Sequence, residues 1–166
     1  MSASSGRSEI DRLVDVGVDL EVFGSDVYAA TFQGRAAAID LSSGFELWQR
    51  EFSSFTGIGV DLANVYVTSD VSQVVALNRL NGNEVWRNEG MRMRDLTAAT
   101  RFRETVVVAD YQGYLHFLDS TDGSFMARIR AASSQITSQP LAVGRLLFVQ
   151  SEDGTIAAFE FVDGSA

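Results

Sequence analysis

The chain has 166 residues, 46% of them apolar and 21% charged, which is enough to bury a sizeable core and excludes a disordered polymer. A net charge of −9 repels phosphate backbones and disfavours nucleic-acid binding; with no cysteine, disulfides, thiolate metal sites and thiol catalysis are excluded. One proline and fourteen glycines leave the turns to Gly, Asn, Asp and Ser.

The first residues, "MSASSGRSE", are small and polar, so residues 1–10 are expected to be a flexible N-terminus. No 18-residue apolar run and no basic-apolar-small leader follows, so neither a membrane span nor a signal peptide is expected. Next come short segments of strand character: "GVDLEVF", "VYAAT", "RAAAID" and "FELWQRE". The same series returns as "GIGVDL", "VYVTS", "QVVALN" and "NEVWRNE", then as "DLTAATRF", "TVVVAD", "YLHFLD" and "SFMARIRA", and again from "ITSQPLAV". These segments are rich in Val, Tyr, Phe and Thr, punctuated by turn residues, and none has an extended helical period.

Turns align the copies. Gly44, Gly82, Gly123 and Gly164 stand 38, 41 and 41 residues apart. Ten positions before them stand Gly34, Ser72, Gly113 and Gly154; four before them stand Asp40, Asn78, Asp119 and Glu160. A period near 40 with about four short strands per copy predicts propeller blades. The expected fold is all-β, a partial propeller of about four antiparallel four-stranded blades, with the last one incomplete. The expected boundaries are 11–52, 56–90, 95–131 and 136–166.

The runs "AAAI", "QVVAL", "TVVVA" and "LLFV" are nearly continuous in apolar residues, so they are expected to be covered on both faces. Each Asp/Asn-x-x-x-Gly turn is expected to join a third strand to an outer fourth one, with glycine supplying positive φ. Trp48 and Trp86, four residues after their glycines, should fill the wedge between blades. The third copy has Ala127 there, so Phe125 or Met126 is expected to fill that wedge. Four blades are too few to close this ring, so an open arc with bare sheet faces is expected to self-associate.

No catalytic, cofactor or metal site is expected. His116 is the only histidine, and on a buried strand it reads as a hydrogen-bonded core residue. The carboxylates follow the turns at repeat spacing, which is a folding pattern, and no G-x-S-x-G occurs. Arg92, Arg94, Arg101 and Arg103 read as a solvated rim at one blade entry, with an acidic partner as the alternative reading.

"GRAAAIDLSSGFELWQRE" and "SQVVALNRLNGNEVWRNE" resemble the repeat of pyrroloquinoline-quinone-type propellers. "SEIDRLVDV", "YQGYLHFLDSTDGSFMARIRA" and "LLFVQSEDGTIAAFEF" are more narrowly similar to the BamB family, propeller lipoproteins of the bacterial outer-membrane barrel assembly machinery. The resemblance implies roughly the C-terminal half of such a ring. It further implies a non-enzymatic, lipid-anchored scaffold at the periplasmic face of the outer membrane, which binds the POTRA domains of BamA and handles unfolded outer-membrane proteins. The family's contact segment carries over to Asp15, with Asp11 and Arg12 beside it; a second acidic residue common in the family is replaced here by Gly17. A quinoprotein dehydrogenase shares the generic repeat and is the alternative reading.

Overall fold

In a computed structural model, residues 18–31, 35–52 and 57–162 form fifteen strands and no helix among the described residues. The first sheet holds β1 (Val18–Phe23), β2 (Asp26–Thr31), β3 (Arg35–Asp40) and β4 (Glu46–Glu51). The second holds β5 (Gly57–Val60), β6 (Asn64–Thr68), β7 (Val74–Asn78) and β8 (Glu84–Asn88). β9 (Thr100–Phe102), β10 (Thr105–Ala109), β11 (Tyr114–Asp119) and β12 (Phe125–Arg130) make the third. β13 (Leu141–Val143), β14 (Leu146–Gln150) and β15 (Ile156–Glu160) make a three-stranded fourth. Each sheet is an antiparallel meander in chain order.

The inner strands β1, β5, β9 and β13 neighbour one another in that sequence, which sets the sheets around a common axis. This is the predicted propeller arc. The period-two geometry of a strand sends alternate side chains to opposite faces, and in the second and third sheets both faces of a middle strand meet another sheet. Val74–Leu77 and Val106–Ala109 are accordingly buried without alternation, and Ala36–Ile39 of the first sheet are buried as well. Three apolar clusters fill the wedges. Tyr28, Ala38 and Trp48 meet Ile58, Val65 and Val75 in the first. Tyr66, Ala76 and Trp86 meet Leu96, Val106 and Leu118 in the second. Phe102, Val107 and Leu115 meet Leu147 and Val149 in the third.

The repeated turns join third to fourth strands as predicted. Gly44, Gly82 and Gly123 have φ of 71°, 67° and 72°, and each amide donates to the carbonyl four residues before it, those of Asp40, Asn78 and Asp119. The Asp40 carboxylate accepts from the amides of Ser42 and Ser43 at 3.1 and 2.8 Å. With the two serine hydroxyls added, its pKa is pulled down to about 2. Gly164 lies outside the described residues.

Two expectations about the wedges need correction. Phe125 and Met126 do not fill the third wedge; both are more than half exposed. Trp48 pairs across the ladder with Ala38, and Trp86 with Ala76, each just before a register shift. The same pair in the third sheet is Ala127 with Phe117. The large ring has moved one strand inward, where Phe117 packs against the third cluster. Nor is "LLFV" covered on both faces. Leu147 and Val149 are buried against the third sheet, whereas Leu146 is 37% exposed, because among the described residues no sheet packs on the far side.

Candidate partner-binding surface

Asp11, Arg12 and Asp15 precede β1 and lie outside the described residues. The described residues offer surface of two kinds, at one end of the arc and along its axis.

A meander places the connections that enter inner strands at the same end as the hairpins between second and third strands. Between the second and third sheets, that connection runs from Glu89 to Ala99. Met91 and Leu96 anchor it in the second cluster, and between them the chain turns outward. Met93 is 86% exposed with φ of 58°, and Asp95 has φ of 47°. Opposite stands the β6–β7 turn, where Val71 is half exposed and Ser72 has φ of 62°. Asp70, Val71, Gln73, Arg92, Met93 and Asp95 line an open cleft of about 640 Å³. Two solvent-facing apolar side chains ringed by charges suit protein contact, since burying them removes apolar area from water while the rim stays wet.

A buried polar network holds this end rigid. Asp110, at the β10–β11 turn, is fully buried. One of its oxygens accepts from the Arg94 guanidinium at 2.6 Å and faces His116 Nε2 at 2.8 Å. The other accepts from the amides of Gln112 and Tyr114. The Arg94 amide donates to Ser72 Oγ, its carbonyl accepts from the Tyr111 amide, and the Asp110 carbonyl accepts from the Ile136 amide. One network therefore ties the second, third and fourth sheets together. Burial alone would raise the Asp110 carboxyl, but the bonds from His116, the Tyr114 amide, Arg94 and the Gln112 amide together hold it below its ordinary value. Burial lowers the His116 pKa despite the facing carboxylate. A neutral His116 beside an ionised Asp110 carries its proton on Nε2 and donates it to the carboxylate. Both groups are sealed from solvent, at 1% and 0% exposure, so a substrate cannot reach them. His116 is the hydrogen-bonded core residue expected, but Arg94 is not part of a solvated rim. Arg92 pairs with Glu89, Arg101 lies 3.7 Å from Asp61, and Arg103 covers the Phe161 ring.

The repeat carried a signal for this network. Ser69, Asp110 and Ser151 share one register, all buried at the base of a hairpin. A carboxylate replaces the serine only where a histidine stands on the following strand. Spacing along the chain does not show Arg94 joining them from sixteen residues upstream.

Along the axis the inner strands leave a smaller cleft of about 310 Å³, whose walls include Glu21, Val60, Thr100, Arg101, Gln139 and Leu141. Gln139 Nε2 spans two sheets there, donating to Ala99 O at 2.8 Å and Ile58 O at 3.3 Å. Gly59 faces the Ala99 carbonyl so closely that no side chain fits. Burial raises the Glu21 carboxyl. Among the described residues no three His, Asp or Glu side chains come together to hold a metal ion.

Comparison with known proteins agrees with this architecture. The family model described as outer membrane protein assembly factor BamB matches residues 1–88 and 71–166. The protein of that name from Pseudomonas aeruginosa is 39% identical over 154 residues, covering 93% of this chain and 40% of the relative. The crystal structure of BamB from Moraxella catarrhalis superposes with a TM-score of 0.81 at 28% identity, covering 97% of this chain and 47% of that one. A quinohemoprotein alcohol dehydrogenase from Comamonas testosteroni is similar in fold alone: TM-score 0.59, 21% identity, 70% of this chain and 21% of that one. The chain thus spans less than half the length of the BamB relatives it matches.

Proposed function

The chain belongs to the family of the outer membrane protein assembly factor BamB, and on that premise we propose that it is a non-enzymatic scaffold arc that docks the POTRA domains of BamA. In this reading it works at the periplasmic face of the outer membrane, within a ring whose full-length form is lipid-anchored. Asp15 makes the central partner contact, with Asp11 and Arg12 beside it. The observation that carries the proposal is 39% identity to a protein named as an assembly factor, sustained over 93% of the chain. A scaffold role suits the described architecture, in which the buried polar groups are engaged in holding sheets together and the exposed apolar groups stand on loops and strand faces. Unfolded barrel strands are the proposed clients, paired transiently along strand edges.

The test is binding of a purified BamA POTRA array to a full-length ring carrying this sequence, with and without Asp15→Arg. The expected result is binding that weakens at least ~10-fold on charge reversal, the scale of a lost charged contact. Unchanged affinity removes Asp15 from the site, and no binding by either protein removes BamA as the partner. The dehydrogenase reading shares only the fold; titration of pyrroloquinoline quinone and calcium by calorimetry separates the two, since heat of binding would favour the enzyme.

A further inference from the structure

Arg94 stands between two strained residues. Met93 before it and Asp95 after it have φ of 58° and 47°, a left-handed conformation that a residue with a Cβ keeps only where its surroundings impose it. Those surroundings are the bonds of Arg94 itself. Its guanidinium reaches Asp110 at 2.6 Å, its amide donates to Ser72 Oγ, and its carbonyl accepts from the Tyr111 amide. On either side the chain is fixed independently. Met91 is packed in the second cluster, and Thr97 exchanges hydrogen bonds with Ala109. Residues 92–95 are therefore a short strained span between two anchors, fastened at Arg94.

The fastening shares its acceptor with His116, since Asp110 Oδ2 takes both the Arg94 and the His116 contact. His116 Nδ1 is buried and has no hydrogen-bond partner among the described residues. Arg128 faces the ring from the paired position on β12, and Phe125 packs against its edge. Tyr114, two residues earlier on the same face of β11, lies under the guanidinium groups of Arg128 and Arg130. With its Nε2 proton directed at Asp110, the ring has only Nδ1 for a second one. There it would be a buried N–H without an acceptor, with two guanidinium groups and one carboxylate nearby. Arg94 is the member that can leave, because its side chain is 27% exposed whereas those of His116 and Asp110 are 2% and 0% exposed.

We propose that His116, Asp110 and Arg94 form an acid-released latch: a proton taken up at His116 Nδ1 frees Arg94 from Asp110, residues 92–95 leave their strained conformation, and the Met93 side of the cleft changes shape. A ring that takes its second proton only with the latch open makes opening grow up to ~30-fold from pH 7.5 to pH 5, about the ordinary histidine value of ~6.5. This inference does not depend on BamA being the partner.

Amide hydrogen exchange by NMR, expressed as protection relative to the intrinsic rate at each pH, tests it. The Tyr111 amide, which donates to the Arg94 carbonyl, should lose at least ~5-fold in protection from pH 7.5 to pH 5. Dilute urea should not accelerate that exchange, because a local opening exposes little surface; amides at the centre of β10 should instead exchange through urea-sensitive global unfolding. His116→Gln keeps a donor for Asp110 but cannot take the proton, so its Tyr111 protection should be equal at both pH values. Arg94→Met removes the fastening itself and should lower Tyr111 protection at least ~10-fold already at pH 7.5. Tyr111 exchange that always follows the β10 amides in rate and urea response overturns the proposal. So does a pH response that His116→Gln retains, or full protection of Tyr111 in Arg94→Met.

Discussion

The indole of Trp48, on the outer strand of the first sheet, lies flat against Gly82 in the β7–β8 turn of the second. A Cβ placed on Gly82 would stand 2.6 Å from two carbons of that ring. The indole N–H closes the contact by donating to the Arg79 carbonyl at 2.8 Å. Trp86 repeats the arrangement on Gly123 and donates to the Ser120 carbonyl. Each glycine thus serves its own turn and also receives the tryptophan of the preceding sheet.

Gly82→Ala and Gly44→Ala should therefore differ. Both glycines have positive φ, which costs an alanine about 1 kcal/mol or more. Nothing lies within 4 Å of a Cβ on Gly44, whereas at Gly82 the methyl must displace a buried indole. Gly82→Ala should lower unfolding free energy by about 2–4 kcal/mol in urea titration, and Gly44→Ala by about 1 kcal/mol. Equal losses would mean that the docking contact contributes nothing.

The exchanged pair in the third sheet predicts a coupled double mutant. Phe117→Ala should cost about 2–3 kcal/mol by leaving a void in the third wedge. Ala127→Trp alone places a large ring opposite Phe117 and should gain nothing. Combined, the two changes rebuild the Ala–Trp pair of the first two sheets, and the double-mutant cycle should show a coupling of about 1 kcal/mol or more in the favourable direction. Strict additivity would show that the positions do not share one volume.

His116 should govern stability near neutrality. Burial depresses its pKa below the ordinary value, so as pH falls through ~6.5 the unfolded chain takes up a proton that the folded chain refuses. Stability should fall from pH 7.5 to pH 5.5. Because this is the chain's one histidine, His116→Gln should flatten that slope. Asp110 acts lower down. Its depressed carboxyl contributes stability above its unfolded value near ~3.9, which is lost as pH falls through the still lower folded value. Thermal melts of the parent chain and the His116→Gln variant from pH 8 down to about pH 2 would check this, and an unchanged slope near neutrality in the variant would exclude His116 as its source.

Arg79 should resist even conservative replacement. Its guanidinium donates to Asp26 at 3.2 Å, to Tyr28 Oη at 3.0 Å and to the Leu62 carbonyl at 3.1 Å, and it lies 5.3 Å from the Phe23 ring centre. An ammonium cannot span that planar fork, so Arg79→Lys should cost about 1–2 kcal/mol by urea denaturation. A loss below about 0.3 kcal/mol would show that the bridge between the first two sheets is not a stabilising contact.

Repetition made the architecture readable from residue order alone. Copies near forty residues apart, each a series of short apolar runs closed by an Asp- or Asn-led glycine turn, determine strand number, hairpin positions and the stacking of sheets. Turn chemistry and strand alternation are local, and a repeat states them several times over. Family kinship was equally legible, because it rests on residue identity. Tertiary structure alone decided what depends on neighbours across a wedge. Asp110 meets Arg94 only because a connection from the second sheet folds over the third, and Phe117 takes the wedge because Ala127 vacates it one strand away. Leu141 and Ile156 are exposed because no described sheet follows theirs. An apolar side chain states that burial is favourable; which surface buries it is settled only when separate sheets are brought together.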